Sequence, residues 1–546
     1  MLSDTGRQQG LRGADLLADV LLAAGVKRIF SLSGNQIMPI YDACLDAGIE
    51  IVHTRHEAAA VFMADAWAQL TRGLGVALVT AAPGAMNALG ALYSARCSES
   101  PVLLLTGDSP LGQDGRGAFQ ELDQVAVTRT LTKTSLRPHD ATSLLASLQE
   151  AIRAARSGRL GPAHIALPFD VIQGSTADVG PCDERMLAPA SSPAREDELT
   201  VVATGLAQAE RPIVVVGPSL SPTRTGTLLE TLADRLDAPV LCMESPRGVR
   251  DPALGELAAV LSEADLIVSL GKSVDFTLGF GKVANDRCRW QVVESDAAER
   301  QRASTNLGQR LEHCFEADVM SFARALADRA PASKGRDDWR RTVSRRISAR
   351  TSAVPAEGGA DDAITSADLC EAVRQFLAGR DESVVVSDGG EFGQWAQAFF
   401  SGPSRIVNGV SGAIGGGVPY GLAAALARPD AAVVVLTGDG SIGFHLAEFE
   451  TAARVGARFV VVVGNDRRWN AEHQIQLRDY GSDRLVGCDL GEARYDLAAK
   501  AMGGHGEYVT SAAELAPALE RAFAAGTVAC VNVLIEGLPA PAGSAH

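Results

Sequence analysis

A carboxylate stands between two glycines where an apolar run ends, in the segment VVVLTGDGS (433–441). Strand ends in parallel sheets open onto a crevice where ligands bind, and glycines let the backbone approach a ligand closely. The helix expected next would offer free N–H groups, which suit phosphate. Asp439 would repel phosphate unless a cation lay between them. The pattern therefore predicts Mg²⁺, held by few protein oxygens and completed by diphosphate oxygens.

A second oxygen ligand is expected at the end of the next strand. The run ARFVVVVGN (457–465) ends at Asn465, and 24 residues separate Asn465 from Gly440, which completes one β-α-β unit. The alternative interpretation is an ordinary strand, turn and helix in which Asp439 only caps the helix.

Apolar runs without polar alternation recur along the chain, and helical patterns follow them. Such runs suit strands that are covered on both faces, and their alternation with helices predicts doubly wound parallel sheets. The runs are GVALVT (75–80), PVLLLTG (101–107), RPIVVVG (211–217), ADLIVSLG (264–271), DESVVVSD (381–388), AAVVVLTG (431–438) and ARFVVVVGN (457–465).

Segments rich in Pro, Ser, Gly and charge interrupt this rhythm at 176–197, 330–339 and 351–362, and they are predicted to be linkers. The fold class predicted is therefore α/β, with three doubly wound parallel-sheet domains at 8–175, 195–330 and 362–536.

Composition excludes several classes of function. The net charge of −16 argues against nucleic acid as a partner, because phosphate binding needs a basic surface. The most basic stretch, RRTVSRRISAR (340–350), is expected to be the solvated face of a linker helix. No apolar run approaches the roughly 20 residues of a membrane span, so no membrane association is expected. The scattered cysteines, odd in number and without a Cys-x-x-Cys pair, and a polar N-terminus favour a cytoplasmic protein with reduced thiols.

Four further stretches follow the order and spacing of a known N-terminal domain. They are FSLSGNQIMPIYDAC (30–44), TRHEAAA (54–60), TAAPGAMNA (80–88) and GAFQELDQV (117–125). Together with the Gly-Asp-Gly-Ser and Asn465 pattern, they make almost the whole chain resemble thiamine diphosphate (ThDP) enzymes of the acetohydroxyacid synthase, benzaldehyde lyase and oxalyl-CoA decarboxylase group. The resemblance implies pyrimidine-binding, central Rossmann-like and diphosphate-binding domains, with ThDP and Mg²⁺ as cofactors. No FAD signature is found, and FAD is not expected.

The resemblance also implies roles for single residues. Asp439, the side chain of Asn465 and the carbonyl of Arg467 would hold the metal, and Asp466 stands where the family often has a second Asn. Ile414 would replace the usual Met as the apolar wedge that bends the cofactor. The residues implied in cofactor binding are Pro83, Asn87, Gly390, Glu391, Phe392, Gly412, Ile414, Asp439, Gly440, Ser441, Asn465 and Trp469.

Glu57 matches the acid of this family that protonates N1′ of the aminopyrimidine, so that the 4′-imine can remove the C2 proton and form the ylid. By itself, a Glu at this place could merely complement a helix N-terminus.

Candidates for substrate contact are Asn35, Gln36, Phe119, Gln120, Trp469 and Asn470. Gln120 matches a glutamine shared by acetohydroxyacid synthases and benzaldehyde lyase that can hydrogen-bond a substrate oxygen; the alternative is a surface turn. Asn35 and Gln36 offer amide donors for a carbonyl or carboxylate, and they could equally cap the next helix. His473 is the candidate active-site histidine, although an isolated histidine is more often structural.

The reaction implied is carbon–carbon cleavage or ligation of 2-oxo acids or 2-hydroxyketones through a C2 ylid. Acetolactate synthase proper is one alternative, although Trp469, Asn470 and Ala471 replace its Gly-Met-Val. A 2-hydroxyacyl-CoA lyase or decarboxylase is another, favoured by LGKSVDFTLGFGK (270–282) and QVVESDAAE (291–299). A non-catalytic subunit is disfavoured, because a dead site need not keep Glu57, Asp439 and Asn465. Because the family builds its site from two subunits, a homodimer or homotetramer is implied.

Overall fold

The computed structural model describes residues 11–541 apart from 178, 181, 191, 330–334, 350–362, 402–403 and 409–410, and every apolar run named above contains a strand. The chain divides into two compact units, Met1–Ala190 and Ser191–His546.

The first unit is a six-stranded sheet with helices around it. Its strand order is β2-β1-β3-β4-β6-β5, and all neighbouring strands are parallel. The strands are β1 Arg28–Ser31, β2 Glu50–His53, β3 Gly75–Val79, β4 Val102–Asp108, β5 Ser135–Leu136 and β6 Ala163–Pro168. The helices are α1 Gly13–Ala23, α2 Met38–Ala47, α3 Glu57–Thr71, α4 Pro83–Cys97, α5 Gln124–Thr128, α6 Ala141–Arg156 and α7 Phe169–Gln173.

Small residues let α3 pack directly on the sheet. All five residues of β3 are buried, and a Cβ on Gly75 would lie only 2.0 Å from the carbonyl oxygen of Ala64 in α3. The alanine-rich sequence of α3 makes this approach possible, because large side chains would hold a helix and a strand further apart. The helix that begins with Glu57 is therefore fixed against the centre of the sheet.

The second unit contains two sheets. The five-stranded sheet has the order β11-β10-β9-β7-β8, with all neighbours parallel. Its strands are β7 Pro212–Val216, β8 Val240–Cys242, β9 Leu266–Leu270, β10 Arg289–Val293 and β11 Leu311–Phe315. The helices of this part are α8 Glu196–Gln208, α9 Pro222–Thr225, α10 Leu228–Leu236, α11 Leu257–Glu263, α12 Ala297–Leu307, α13 Val319–Asp328 and α14 Asp337–Ser348.

The six-stranded sheet of this unit has the order β13-β12-β14-β15-β17-β16 and is again parallel throughout. Its strands are β12 Ser383–Ser387, β13 Arg405–Val407, β14 Ala432–Gly438, β15 Val460–Asn465, β16 His505–Val509 and β17 Ala529–Leu534. The helices are α15 Ser366–Leu377, α16 Gly390–Phe399, α17 Gly417–Ala427, α18 Asp439–Ile442, α19 Glu448–Arg454, α20 Asn470–Tyr480, α21 Tyr495–Ala501 and α22 Ala512–Ala524.

The two sheets of the second unit are joined by a buried ion pair. Arg405, the first residue of β13, donates to Glu244 at 3.1 Å, and both side chains are about nine-tenths buried. The backbone of Arg405 also exchanges hydrogen bonds with the hydroxyl of Thr223, at 2.8 and 3.1 Å. Removing one partner of such a pair would leave a buried charge without compensation, so loss of either side chain would be strongly destabilising.

The predicted fold class, α/β with three doubly wound parallel sheets, is confirmed. The domain limits 8–175, 195–330 and 362–536 stay predictions, and much of the predicted linkers, at 330–334 and 351–362, lies outside the described residues. The basic stretch forms part of α14, whose Arg340 pairs with Asp234 at 2.7 Å. Among the described residues, no helix combines the length and the apolarity that crossing a membrane requires. The nine cysteines, all of them described, form no disulfide.

Candidate functional site

Three strand ends of the last sheet converge on one pocket. β14 lies between β12 and β15, with Leu436 in register with Ser387 and Gly438 in register with Gly464, so the loops that follow these strands meet at one edge. The pocket is lined by Gly389, Gly390, Glu391, Phe392, Ile414, Gly438, Asp439, Gly440, Ser441, Gly464, Asp466, Arg468, Trp469, Asn470, Ala471 and Glu472. Eight of the residues predicted to bind the cofactor therefore lie together, although separate sequence motifs supply them.

Glycines are needed in this pocket because large side chains pack closely against their backbone. A Cβ on Gly440 would lie 2.5 Å from the ring of Trp469, and one on Gly389 would lie 2.5 Å from the side chain of Ile414. Gly390 has φ +81°, a left-handed conformation that a side chain would strain. The backbone therefore carries no side chains where the diphosphate is predicted to lie, between the indole ring of Trp469 and the side chain of Ile414.

Asp439 and Asp466 converge at this edge. Asp439 is the first residue of α18, whose N-cap is Gly438, and its Oδ2 accepts the backbone N–H of Arg468 at 3.1 Å. Oδ1 of Asp466 accepts the same N–H at 3.2 Å. Burial raises the pKa of Asp439 to about 6. Burial and, second, the charge of Asp439 raise the pKa of Asp466 to about 7. Two carboxylates this close, one buried and one half-buried, favour a cation between them.

The other two predicted metal ligands are placed differently. Asn465 ends β15 and is 1% exposed, and its Nδ2 donates to the carbonyl of Ala493 at 3.3 Å and to Oδ1 of Asn532 at 3.1 Å. Its Oδ1 accepts the N–H of Arg467 at 3.2 Å, and the carbonyl of Arg467 accepts the N–H of Leu490 at 2.7 Å. Neither Asn465 nor Arg467 lines the pocket. Their oxygens each retain a lone pair, but the carboxylate that faces the pocket beside Asp439 is that of Asp466.

The donor set fits a diphosphate-bound Mg²⁺. Within the described residues, no group of three or more His, Cys, Asp or Glu side chains could hold a metal by itself. Mg²⁺ commonly takes one or two carboxylates and completes its six oxygens with phosphate and water. Asp439 and Asp466 beside Ser441, with the remaining lone pairs of the Asn465 side chain and the Arg467 carbonyl, would supply the protein's share of such a shell.

Asp388 is a functional candidate that the sequence analysis missed. It follows β12 directly and is 1% exposed. Its carboxylate accepts the N–H groups of Gly389, Gly415 and Gly417 at 2.8, 2.9 and 3.1 Å and the hydroxyl of Thr437 at 3.0 Å. Burial raises the pKa of Asp388, although these hydrogen bonds act to lower it. Asp388 thus connects the segment that contains Ile414 to β12 and β14. The only sign of this role in the sequence was an Asp immediately after a predicted buried strand.

The segment 537–540 is a second feature that the sequence did not indicate. The N–H of Ala540 donates to Oε1 of Glu391 at 2.6 Å, and the carbonyl of Leu538 accepts Nδ2 of Asn470 at 3.3 Å. The carbonyl of Gly537 accepts Nε2 of Gln474 at 3.3 Å. The carboxylate of Glu391 and the amide of Asn470 therefore anchor this segment beside the pocket, in addition to the contacts predicted for them.

In the first unit, Glu57 and Asn87 meet although they lie 30 positions apart in the sequence. Glu57 is 8% exposed, and its Oε2 accepts Nδ2 of Asn87 at 3.0 Å. His56, not Glu57, caps α3, because its Nδ1 accepts the N–H of Ala58 at 3.1 Å. Pro83 begins α4 next to Ala82, which has the strained φ of +40°. A buried carboxyl held by an amide donor can hold or pass on a proton at a fixed place.

The predicted substrate residues of the first unit fall into two groups. Nε2 of Gln36 donates to Oε1 of Gln120 at 2.8 Å, so these residues form one polar cluster, and Gln36 does not cap a helix. Asn35 is exposed and begins a 3₁₀ turn, Asn35–Ile37, without capping it, and the ring of Phe119 is 74% exposed. These last two stand apart from the amide cluster.

His473 lies in the first turns of α20, outside the pocket lining. It is 8% exposed, and its Nδ1 is buried without a hydrogen-bond partner among the described residues. Gly412, with φ +67°, also lies outside the lining. The structure therefore does not bring these two predicted residues into the pocket.

Comparison with known proteins agrees with this arrangement. Residues 11–127 match the N-terminal TPP binding domain of thiamine pyrophosphate enzymes, and residues 388–533 match the C-terminal TPP binding domain. Thiamine pyrophosphate is another name for ThDP.

Similar proteins extend this match over nearly the whole chain. A probable acetolactate synthase of Mycobacterium bovis is 33% identical over 548 residues, which cover 98% of each chain. Human 2-hydroxyacyl-CoA lyase 2 is 31% identical over 547 residues, which cover 90% of this chain and 84% of the human one. The chain, with a buried Glu57 in its N-terminal domain and paired carboxylates at the strand ends of its C-terminal domain, therefore belongs to the thiamine pyrophosphate enzyme family, in the group related to acetolactate synthase and 2-hydroxyacyl-CoA lyase.

Proposed function

We propose that this protein is a ThDP- and Mg²⁺-dependent carbon–carbon lyase or carboligase that acts on 2-oxo acids or 2-hydroxyketones. The observation that carries the proposal is the buried Glu57 held by Asn87 at 3.0 Å, because a subunit without catalysis would not need an acid kept at that place. Bound ThDP would supply a nucleophilic carbon that adds to a carbonyl and stores the electrons of the broken bond.

The protein's own residues would then perform three tasks. Glu57 holds and moves the proton at the pyrimidine, and Asn87 keeps its carboxyl in place. Asp439, the side chain of Asn465 and the carbonyl of Arg467 would hold the cation, with Asp466 as a further carboxylate beside it, while Ser441 and glycine backbone would contact the diphosphate oxygens.

Acetolactate synthesis and 2-hydroxyacyl-CoA cleavage are the specific alternatives, because relatives with those names match over most of the chain. Product NMR separates them. The protein with Mg²⁺ and ThDP is given pyruvate alone, pyruvate with an aldehyde, and then a 2-hydroxyacyl-CoA. Acetolactate from pyruvate alone would favour the synthase, a mixed hydroxyketone would favour the broader carboligase, and turnover of only the thioester would favour the CoA lyase.

The variant Glu57→Gln tests the role of the acid. It should bind ThDP with wild-type affinity in calorimetry and lose turnover by about 10²–10⁴-fold, the usual contribution of an acid–base group. Glu184→Gln, the same change at an exposed position of the same unit, is the control. Undiminished turnover in Glu57→Gln would falsify the assignment of Glu57.

Cytoplasmic location and self-association to a homodimer or homotetramer belong to the same proposal. Sedimentation of the purified protein, with and without Mg²⁺ and ThDP, tests the oligomer, and a monomer that turns over substrate would contradict it.

A further inference from the structure

The amide of Asn465 is held in one orientation by backbone groups that can only donate or only accept. Its Nδ2 donates to the carbonyl of Ala493 at 3.3 Å and to Oδ1 of Asn532 at 3.1 Å. Its Oδ1 accepts the N–H of Arg467 at 3.2 Å. A carbonyl oxygen cannot donate and a backbone N–H cannot accept, so the reversed amide would place oxygen against oxygen and nitrogen against nitrogen. Both N–H groups of Asn465 are therefore used, and its oxygen keeps a lone pair for a further partner.

The side chain of Asn532 is oriented by acceptors in the same way. Its Nδ2 donates to the carbonyl of Ala493 at 3.1 Å and to Oδ1 of Asp496 at 3.5 Å, so its own Oδ1 faces Asn465. Burial acts to raise the pKa of Asp496, but hydrogen bonds from the guanidinium of Arg494, at 2.9 and 2.7 Å, hold that pKa below its ordinary value. An ionised carboxylate only accepts, so Asn532 cannot reverse either.

The sheet places the two asparagines next to each other. In the parallel register of β15 and β17, Asn532 lies beside Val463. Asn465 follows Val463 by two residues, so its side chain points to the same face of the sheet. Asn465 and Asn532 are 1% and 0% exposed, and a buried amide without hydrogen bonds would cost free energy. The contact between the two amides is therefore set by the sheet itself.

The segment 493–496 connects this pair to the other predicted side-chain ligand of the metal. Ala493 supplies the carbonyl that both asparagines share, and Asp496 lies in the first turn of α21. Between them, the hydroxyl of Tyr495 donates to the carbonyl of Asp439 at 2.9 Å. The segment thus contacts both Asp439 and Asn465 from behind the pocket-facing loops.

The oxygen of Asn465 faces the same loop as the carboxylate of Asp439. Oδ1 of Asn465 accepts the N–H of Arg467, and Oδ2 of Asp439 accepts the next N–H along the chain, that of Arg468, at 3.1 Å. The two oxygens therefore lie against consecutive peptide groups. If the amide of Asn465 turned over, it would present N–H groups at this place, and an N–H group cannot bind a cation.

We infer that Asn532, held by Asp496, is a positioning residue that keeps the oxygen of Asn465 turned toward this loop and available to Mg²⁺. The inference rests on the proposed function and adds a support for the metal site that lies outside the pocket. Groups that hold a metal ligand from behind typically contribute about 10- to 100-fold to metal affinity. Because Mg²⁺ requires a nearly regular octahedral shell, whereas Ca²⁺ accepts irregular ones, a fixed amide should also favour Mg²⁺ over Ca²⁺.

The substitution Asn532→Leu tests the inference, because leucine keeps the approximate shape of the side chain and forms no hydrogen bond. Calorimetric titration of Mg²⁺, and separately of Ca²⁺, with ThDP in excess measures metal affinity without turnover. We expect the Kd for Mg²⁺ to rise about 10-fold and the Kd for Ca²⁺ to rise about twofold or less. A fold that is merely weakened would change both constants equally, so an equal change, or none, would overturn the inference.

A double-mutant cycle shows whether Asn532 acts through Asn465. Asn465→Ala should weaken Mg²⁺ binding by itself. In that background Asn532→Leu should have little further effect, because the oxygen that it positions is gone. Additive losses would mean that Asn532 acts elsewhere and would overturn the inference. Wild-type Mg²⁺ affinity in Asn465→Ala would also overturn it, because Asn465 would then not be a ligand.

Matched variants separate positioning from structural damage. Thr451→Val removes another buried hydrogen bond, to Glu448 at 2.6 Å in α19, and should leave both metal affinities unchanged. If Asn532→Leu fails to fold, Asn532→Ser is measured in its place. The serine hydroxyl is too short to reach Asn465, and a water molecule in the gap can donate or accept, so it does not fix the amide. The same loss of preference for Mg²⁺ is expected, and wild-type affinities for both ions in Asn532→Ser would overturn the inference.

The outcomes also separate the inference from the proposed function. A wild-type protein that binds ThDP and Mg²⁺, with an Asn532→Leu variant of unchanged Mg²⁺ affinity, would overturn the inference alone. A wild-type protein that does not bind ThDP would overturn both.

Discussion

The carboxylates of Asp439 and Asp466 accept the same backbone N–H, that of Arg468, at 3.1 and 3.2 Å. They come from the ends of the neighbouring strands β14 and β15, and both line the pocket. Asn465, the second side-chain ligand predicted from the sequence, donates its amide nitrogen to Asn532 and keeps a lone pair on its side-chain oxygen. Asp466 adds a second carboxylate beside Asp439 at the proposed metal site.

Replacing Asp466 by Asn should change metal affinity and apoprotein stability in opposite directions. Loss of one carboxylate should raise the dissociation constant for Mg²⁺ about 10-fold in the presence of ThDP, the lower end of the effect of removing a group that supports a metal. Without metal, the variant should melt at a higher temperature, because the pair of neighbouring like charges has been removed.

Titration of Mg²⁺ followed by the fluorescence of Trp469, and melting of the apoprotein, measure the two effects. Asp489→Asn is the control, since that carboxylate is 89% exposed and lies 3.9 Å from Arg468. Unchanged Mg²⁺ affinity in Asp466→Asn would leave Asp439 and Asn465 as the side-chain ligands.

The absence of a side chain at Gly440 should be necessary for cofactor binding. Gly440→Ala would place a Cβ 2.5 Å from the ring of Trp469, so the indole must move out of the pocket wall. Overpacking of this kind typically costs about 1–3 kcal/mol, so we expect ThDP affinity to fall roughly 5- to 160-fold. Gly443→Ala is a close control, because nothing lies within 4 Å of its added Cβ, three residues further along the chain. Calorimetric titration of ThDP into both variants gives the comparison. Equal affinities would show that the indole of Trp469 can move without a cost to ThDP binding.

His164 should make the protein sensitive to acid. It is fully buried in β6 between the hydroxyls of Thr106, Thr128 and Ser135, each at 2.9 Å, and burial lowers the pKa of His164 to about 3. An unfolded histidine takes up a proton near pH 6.5, whereas this one stays neutral in the fold. Its contribution to stability is therefore present above pH 6.5 and is lost as the pH falls toward 3, by about 1.4 kcal/mol per pH unit.

Chemical denaturation at pH 7, 6 and 5 tests this for the wild type and His164→Gln. The variant should start less stable, because it disturbs three buried hydrogen bonds, and should lose less stability between pH 7 and pH 5. His139→Gln, an exposed histidine of the same unit, is the control. Identical pH slopes in wild type and His164→Gln would contradict the assignment.

The sequence by itself determined the fold class and the main parts of the site. Uninterrupted apolar runs such as VVVLTG (433–438) specify strands covered on both faces, and their alternation with helices leaves parallel sheets as the only arrangement that buries them. Since parallel strands end at one edge, the residues after β14 and β15 had to meet there. The Gly-Asp-Gly-Ser turn supplied the chemistry because glycine, carboxylate and hydroxyl are recognisable by type alone.

Only the tertiary structure decided which side chains face the pocket. Asn465 and Asp466 are adjacent, and successive side chains at a strand end point in opposite directions, so a shift of one residue exchanges their places. Arg467 then turns the loop with φ +59°, a left-handed conformation that cannot be predicted from an arginine at this position. The pairing of Gln36 with Gln120 depends in the same way on contacts between residues 84 positions apart. Neither propensity nor periodicity encodes such contacts, because they exist only once the sheet has brought its strand ends together.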